Sequence, residues 1–79
     1  MAETLYDGLA HDAVFRLPAA GIVRFAFSDP NAIGFIRSLD GSMARIYPGS
    51  RPFLSAGEHV LTLYDPKLMA HVSIVFMPD

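Results

Sequence analysis

The stretch SDPNAIGFIRSLDGSMARIY (residues 28–47) decides between an all-β fold and a mixed one. Read as a helix, Asp29 caps its start, Pro30 takes the first helical position, and Gly41 lies just past its end. Ala32, Phe35, Ile36 and Leu39 then fall at helical spacing. Read as a hairpin, FIRSL and SMARIY are two runs separated by Asp40-Gly41, a pair that suits tight reversals, and Gly34 weakens the helix from inside. The hairpin is the preferred reading, with a short helix near residues 30–39 in an α+β fold as the alternative.

Outward from this stretch the chain continues in the same grammar. Turn-forming residues recur at Asp7-Gly8, Pro18 with Gly21, Asp29-Pro30, Asp40-Gly41, Pro48-Gly49-Ser50, Ala56-Gly57 and Asp65-Pro66. Between them lie short segments rich in β-branched and aromatic residues: AVFRL (13–17), IVRFAFS (22–28), FIRSL (35–39), MARIY (43–47), HVLTLY (59–64) and HVSIVFM (71–77). In IVRFAFS, Val23, Phe25 and Phe27 face one way and Arg24, Ala26 and Ser28 the other, as in a half-buried antiparallel strand. HVSIVFM is apolar on both sides and is expected at the centre of a sheet or under a neighbour. The expected fold is an all-β, small antiparallel β-sandwich of about six or seven strands. It forms one domain over residues 1–79, with segment 1–12 as a candidate arm.

The tetrapeptide TLYD occurs twice, at 4–7 and at 62–65. The flanks agree in part, since Ala10-His11 and Val14-Phe15 follow the first copy and Ala70-His71 and Val75-Phe76 the second, each closed by a proline. Both read as a strand stopped by a turn-forming Asp and followed by a returning strand. Two copies are too few for a repeat architecture.

Size and composition narrow the function. The chain has 79 residues, 52% of them hydrophobic and 18% charged. Such a short chain buries only about 60% of its unfolded surface, so part of the apolar excess is expected to meet a partner. It contains no cysteine, which excludes disulfides and cysteine-ligated zinc. The net charge of −2 speaks against a surface made to neutralise phosphates, so nucleic acid is not an expected partner. The acidic start and the lack of a long apolar run lead us to expect a soluble chain made in the cytoplasm, without a signal peptide or membrane span.

The segment FLSAGEHVLTLYD (53–65) resembles the late-strand pattern of immunoglobulin-like β-sandwiches. Leu54, Gly57, Leu61 and Leu63 fit the alternation, His59 stands where that family commonly has its corner tyrosine, and Asp65-Pro66 would turn the chain into a last strand ending at Met77. The absence of Cys and Trp excludes an antibody-type domain. The resemblance covers residues 53–77 and implies an adhesive, linking or structural module, accessory domains of phage virions among them.

Chemistry finds little support. His11, His59 and His71 have no ligand-motif spacing, and no metal or cofactor is expected. No Gly-x-Ser-x-Gly elbow or phosphate-binding glycine loop is present, and the turn-initiating acids Asp7, Asp29, Asp40 and Asp65 have a structural reason to be where they are. The arginines are more informative. Arg16, Arg24, Arg37 and Arg45 each interrupt a different strand segment; in the simplest hairpin pairings Arg16 lies across from Arg24 and Arg37 near Arg45. Gathered on one face they would hold carboxylates of another chain. The loop YPGSRPF (47–53) adds Tyr47, Arg51 and Phe53, residue types suited to anchoring an interface.

The expected function is therefore non-enzymatic: an interaction protein repeated in a larger assembly, most concretely a phage virion decoration or cement protein. Its expected partners are other protein subunits, in a homo-oligomer or on a capsid-like surface. A carbohydrate-binding module stacking sugars on Tyr47 or Tyr64 is the alternative.

Overall fold

Alternating burial shows why the segments become strands. In Ala13–Leu17, residues Ala13, Phe15 and Leu17 are buried while Val14 and Arg16 are exposed. In Gly21–Phe27, Val23 and Phe25 are buried and Arg24 and Ala26 exposed. This two-residue period covers one face with core and leaves the other to water.

The computed structural model describes residues 2–65 and 67–78. Among them are β1 (Glu3–Leu9), β2 (Ala13–Leu17), β3 (Gly21–Phe27), β4 (Gly34–Ser38), β5 (Met43–Ile46), β6 (Phe53–Leu54), β7 (Gly57–Leu63) and β8 (His71–Met77). They build two four-stranded antiparallel sheets, sheet A in the order β1-β8-β3-β6 and sheet B in the order β2-β7-β4-β5. The antiparallel sandwich is thus as expected, with eight strands where six or seven were counted.

The pairing has a simple rule. β4 pairs with β5, β3 with β6, β2 with β7 and β1 with β8, so the first half of the chain runs against the second as one long hairpin. Two further pairings, β3 with β8 and β4 with β7, roll that hairpin into two layers. An eight-strand roll of this kind has the winding of a jelly roll. It is not the winding of the immunoglobulin sandwich, in which the first two strands share a sheet. Here β1 and β2 lie in different sheets, and so do β7 and β8.

At the decisive stretch the hairpin is the observed form. Ile36 lies opposite Ala44 and Arg37 opposite Met43. The reversal is closed by Gly41 N–H on the Ser38 carbonyl (3.0 Å) and Ser38 N–H on the Ser42 carbonyl (3.0 Å). Gly41 has φ +88°, a left-handed backbone that suits glycine. The helix of the alternative does not form: Asp29 instead makes a single turn, accepting from Asn31 N–H at 2.8 Å on its side chain and from Ala32 N–H at 3.2 Å on its carbonyl. Gly34 then begins β4, and a Cβ there would stand 3.0 Å from the Thr62 carbonyl oxygen. Close approach of β4 to β7 explains the glycine that sits badly in a helix.

The core fills the space between the sheets. Phe15 of sheet B meets Phe25 of sheet A edge to face, centroids 5.9 Å apart at 73°, a geometry worth about 0.5–1.5 kcal/mol beyond area burial. β8 is central in its sheet, between β1 and β3, as its two-sided apolar pattern implied. The folded chain exposes 4770 Å², close to the ~4,700 Å² of an ordinary monomer of this mass. What the surface offers a partner is therefore a matter of its chemistry and not of its extent.

The TLYD copies differ in position. Thr4-Leu5-Tyr6-Asp7 lies inside β1, which the segment expected as an arm supplies, whereas Thr62 and Leu63 end β7 and Tyr64-Asp65 follow it. Neither copy closes a hairpin, because each is followed by a crossing to the other sheet. Pro66, part of the second expected turn, lies outside the described residues.

Candidate protein-docking face

Sheet register decides which of the seven sequence candidates meet. On sheet B the even-numbered residues of β2 and β7 and the odd-numbered residues of β4 and β5 face outward. Arg16 stands opposite Glu58. Val14, Val60, Arg37 and Met43 form the next row, and Thr62, Phe35 and Arg45 the one after. Arg16, Arg37 and Arg45 therefore share one outer face, with Arg37 and Arg45 diagonal neighbours across β4 and β5.

Arg24 is elsewhere. The expected pairing of Arg16 with Arg24 does not occur, because β3 belongs to sheet A, where Arg24 lies opposite Val75. The short Pro18-Ala19-Ala20 link looks like a hairpin loop in sequence but carries the chain between layers. Phe53, in β6, stands opposite Ile22, also on sheet A. Arg51 lies in the segment that follows the edge of β3, where Phe25 N–H donates to the Ser50 carbonyl and Val23 N–H to the Pro52 carbonyl. The seven candidates thus divide: Arg16, Arg37, Arg45 and Tyr47 go with sheet B, and Arg24, Arg51 and Phe53 with sheet A.

Around Arg45 the sheet B face becomes a built cluster. Its guanidinium donates to the hydroxyls of Tyr47 and Tyr64, both at 3.4 Å, and lies 5.4 Å from the centroid of the Tyr64 ring. Phe35 packs against the same ring, centroids 5.2 Å apart. The hydrogen bonds it donates to Tyr47 and then to Tyr64 push the pKa of Arg45 above its ordinary value. Beside it, Tyr64 and Tyr47 are 54% and 45% exposed, and farther along the face Met43 and Val14 are 62% and 50% exposed. Phe35 and Tyr64 were not among the partner-binding candidates. The signal for Phe35 was its two-residue spacing from Arg37; nothing local links Tyr64 to Arg45, nineteen residues away.

Among the described residues the arginines on this face reach no carboxylate within 4.0 Å. The contacts within 4.0 Å between a basic side chain and a carboxylate among these residues are both made by histidines, His71 with Asp7 at 2.8 Å and His11 with Asp12 at 3.7 Å. Even Arg16, opposite Glu58 in register, forms no such contact.

His59 is of another kind, a buried side chain 2% exposed on the inner face of sheet B. A carbonyl can only accept, so its Nε2–H donates to the Ser55 carbonyl at 2.8 Å and its Nδ1 accepts from the Ser38 hydroxyl at 2.7 Å. Phe15 stacks on the ring at 5.5 Å. Both nitrogens are satisfied within the fold, which makes this a structural histidine. Where an immunoglobulin-like sandwich would have a corner tyrosine, this residue instead joins β7 to β4. Among the described residues no three His, Asp or Glu side chains gather at a cation site, and no helix is long and apolar enough to cross a membrane. Comparison with family models, with curated proteins and with solved structures finds no match.

Proposed function

We propose that this chain is a non-enzymatic interaction protein, a repeated component of a larger assembly, which docks to other protein subunits through the outer face of sheet B. A phage virion decoration or cement protein is the most concrete form of this reading. The observation that carries it is the Arg45 cluster: a guanidinium on β5 bonded to two exposed tyrosines that stand just past the ends of β5 and β7, with Met43 and Val14 exposed on the same face. Tyrosine and arginine are enriched among the residues that carry interface energy, and their contacts with one another and with Phe35 lower the entropic cost of ordering them. The molecule measures 33 × 27 × 16 Å, so its broad face matches the ~800 Å² that one side of a standard interface covers. The jelly-roll winding occurs in capsid and lectin domains alike, so it supports the reading without selecting it.

The test is the solution mass of the purified chain, alone and co-expressed with the proteins encoded beside it. A defined complex that R37S/R45S disrupts and R24S leaves intact is the expected result. A clean monomer that associates with none of them contradicts the proposal. A glycan array on which Tyr47→Ala and Tyr64→Ala remove a specific hit would support a carbohydrate-binding module in its place.

A further inference from the structure

We infer that the outer face of sheet B is matched to a carboxylate-bearing surface of a different protein, and not to the same face of a second copy. This rests on the docking reading above and specifies the partner's chemistry and the symmetry of the contact.

Charge is the first ground. The chain is acidic overall, with eight Asp and Glu against six Lys and Arg. The sheet B face runs the other way: Arg16, Arg37 and Arg45 stand on it against Glu58, with Asp12 at the rim, where it accepts from Thr62 at 3.1 Å. It is the basic face of an acidic molecule. Complementary charge steers association and excludes wrong partners.

Unused bonding capacity is the second ground. Among the described residues no arginine reaches a carboxylate within 4.0 Å. A guanidinium is a five-donor fork shaped for carboxylate. Arg45 uses two of its donors on tyrosine hydroxyls at 3.4 Å, long bonds that orient the group without saturating it.

Symmetry follows from these two. A two-fold contact places the same patch of both subunits together. With its axis along the Arg37–Arg45 diagonal, such a contact would bring Arg37 and Arg45 of one copy onto Arg37 and Arg45 of the other, and like charges would oppose it. Phosphate is the other anion a guanidinium takes, but here apolar Val14, Val60 and Met43 share the central row with Arg37. Such a row suits a protein surface better than a sugar-phosphate backbone.

The experiment titrates the 15N-labelled chain with short poly-L-glutamate and, separately, with a short DNA duplex, each at about 50 mM and about 200 mM salt. Poly-L-glutamate is expected to shift the amides of Phe35, Arg37, Arg45 and Tyr64, and R37S/R45S to weaken it about tenfold or more, while R24S stays within about twofold. The inference is overturned if those amides do not move, if R24S weakens binding as much as the pair, or if the duplex binds this face more tightly. A concentration-dependent dimer whose shifts map to the same amides also overturns it. In any of these cases a protein complex lost in R37S/R45S would still stand, so the docking reading and this inference can fail separately.

Discussion

The main-chain N–H of Ala10 donates to the carbonyl of Ala70 at 2.9 Å, and with Leu9 opposite His71 this bond brings together the two Ala-His pairs that follow the TLYD copies. Both alanines are buried, at 1% and 2% exposure, where the two halves of the rolled hairpin cross between sheets. The similarity of the two halves has a physical meaning here: at a corner where two chains cross, a small side chain is buried in each. Ala70→Leu should destabilise the fold by about 1–3 kcal/mol through overpacking, read as a lower urea midpoint. The same substitution at exposed Ala19 should leave the midpoint unchanged.

Gly21 gives a sharper steric test. A Cβ there would stand 2.7 Å from Cε1 of Phe76, a buried ring of the core. Gly21→Ala should therefore cost about 1–3 kcal/mol, and combining it with Phe76→Leu should cost less than the two single changes added together. Strict additivity in urea denaturation would show that the ring is free to move aside.

The His59 bonds predict coupling across sheet B. His59→Leu removes the acceptor of the Ser38 hydroxyl and the donor to the Ser55 carbonyl, so a loss of about 1–3 kcal/mol is expected. In a double-mutant cycle with Ser38→Ala, part of that loss should already be absent. Additive effects would mean that the hydroxyl and the ring act independently.

Asp40 predicts a pH effect confined to the β4–β5 turn. Its carboxylate accepts from the Ser42 hydroxyl at 2.6 Å and from Ser42 N–H at 2.9 Å. The side-chain bond from Ser42, then the backbone one, lowers its pKa below the ordinary 3.8. Because the folded value is depressed, the contribution is present above 3.8 and is lost as the pH falls through the lowered value. The Ser42 amide resonance should titrate in that acid range, and Asp40→Asn should abolish the titration.

Local pattern carried most of the strand content, and distance hid the rest. β2 and β8 begin and end where alternation placed them, since Ala13, Phe15 and Leu17 or Val72, Ile74 and Phe76 are core on one side. The strand expected at 4–7 stops at Asp7-Gly8, which is turn grammar, yet β1 runs on to Leu9, with Asp7 opposite Ser73 and Gly8 opposite Val72. There the Tyr6 ring lies beside the missing side chain, its hydroxyl 3.2 Å from where a Gly8 Cβ would be and 2.7 Å from the Leu9 carbonyl. β6, two residues long, carries too little pattern to announce itself. Pairing was the true gap: links such as 18–20 fit a hairpin or a crossing equally well, and only the closed core selects. That choice moved Arg24 away from Arg16 and so left three of the four strand arginines on one face, while the Arg45–Tyr64 contact, which joins β5 to the end of β7, could not be foreseen from either segment.

The docking account is tested most directly by comparing partner affinity for variants on the two opposite faces, R37S/R45S on sheet B and R24S on sheet A. Their exposed positions predict folding stability within about 0.5 kcal/mol of the parent. The account predicts a loss of about tenfold or more, roughly 1.4 kcal/mol, for the sheet B pair and little change for R24S. Equal affinity of R37S/R45S and the parent chain, or a larger loss in R24S, would contradict it.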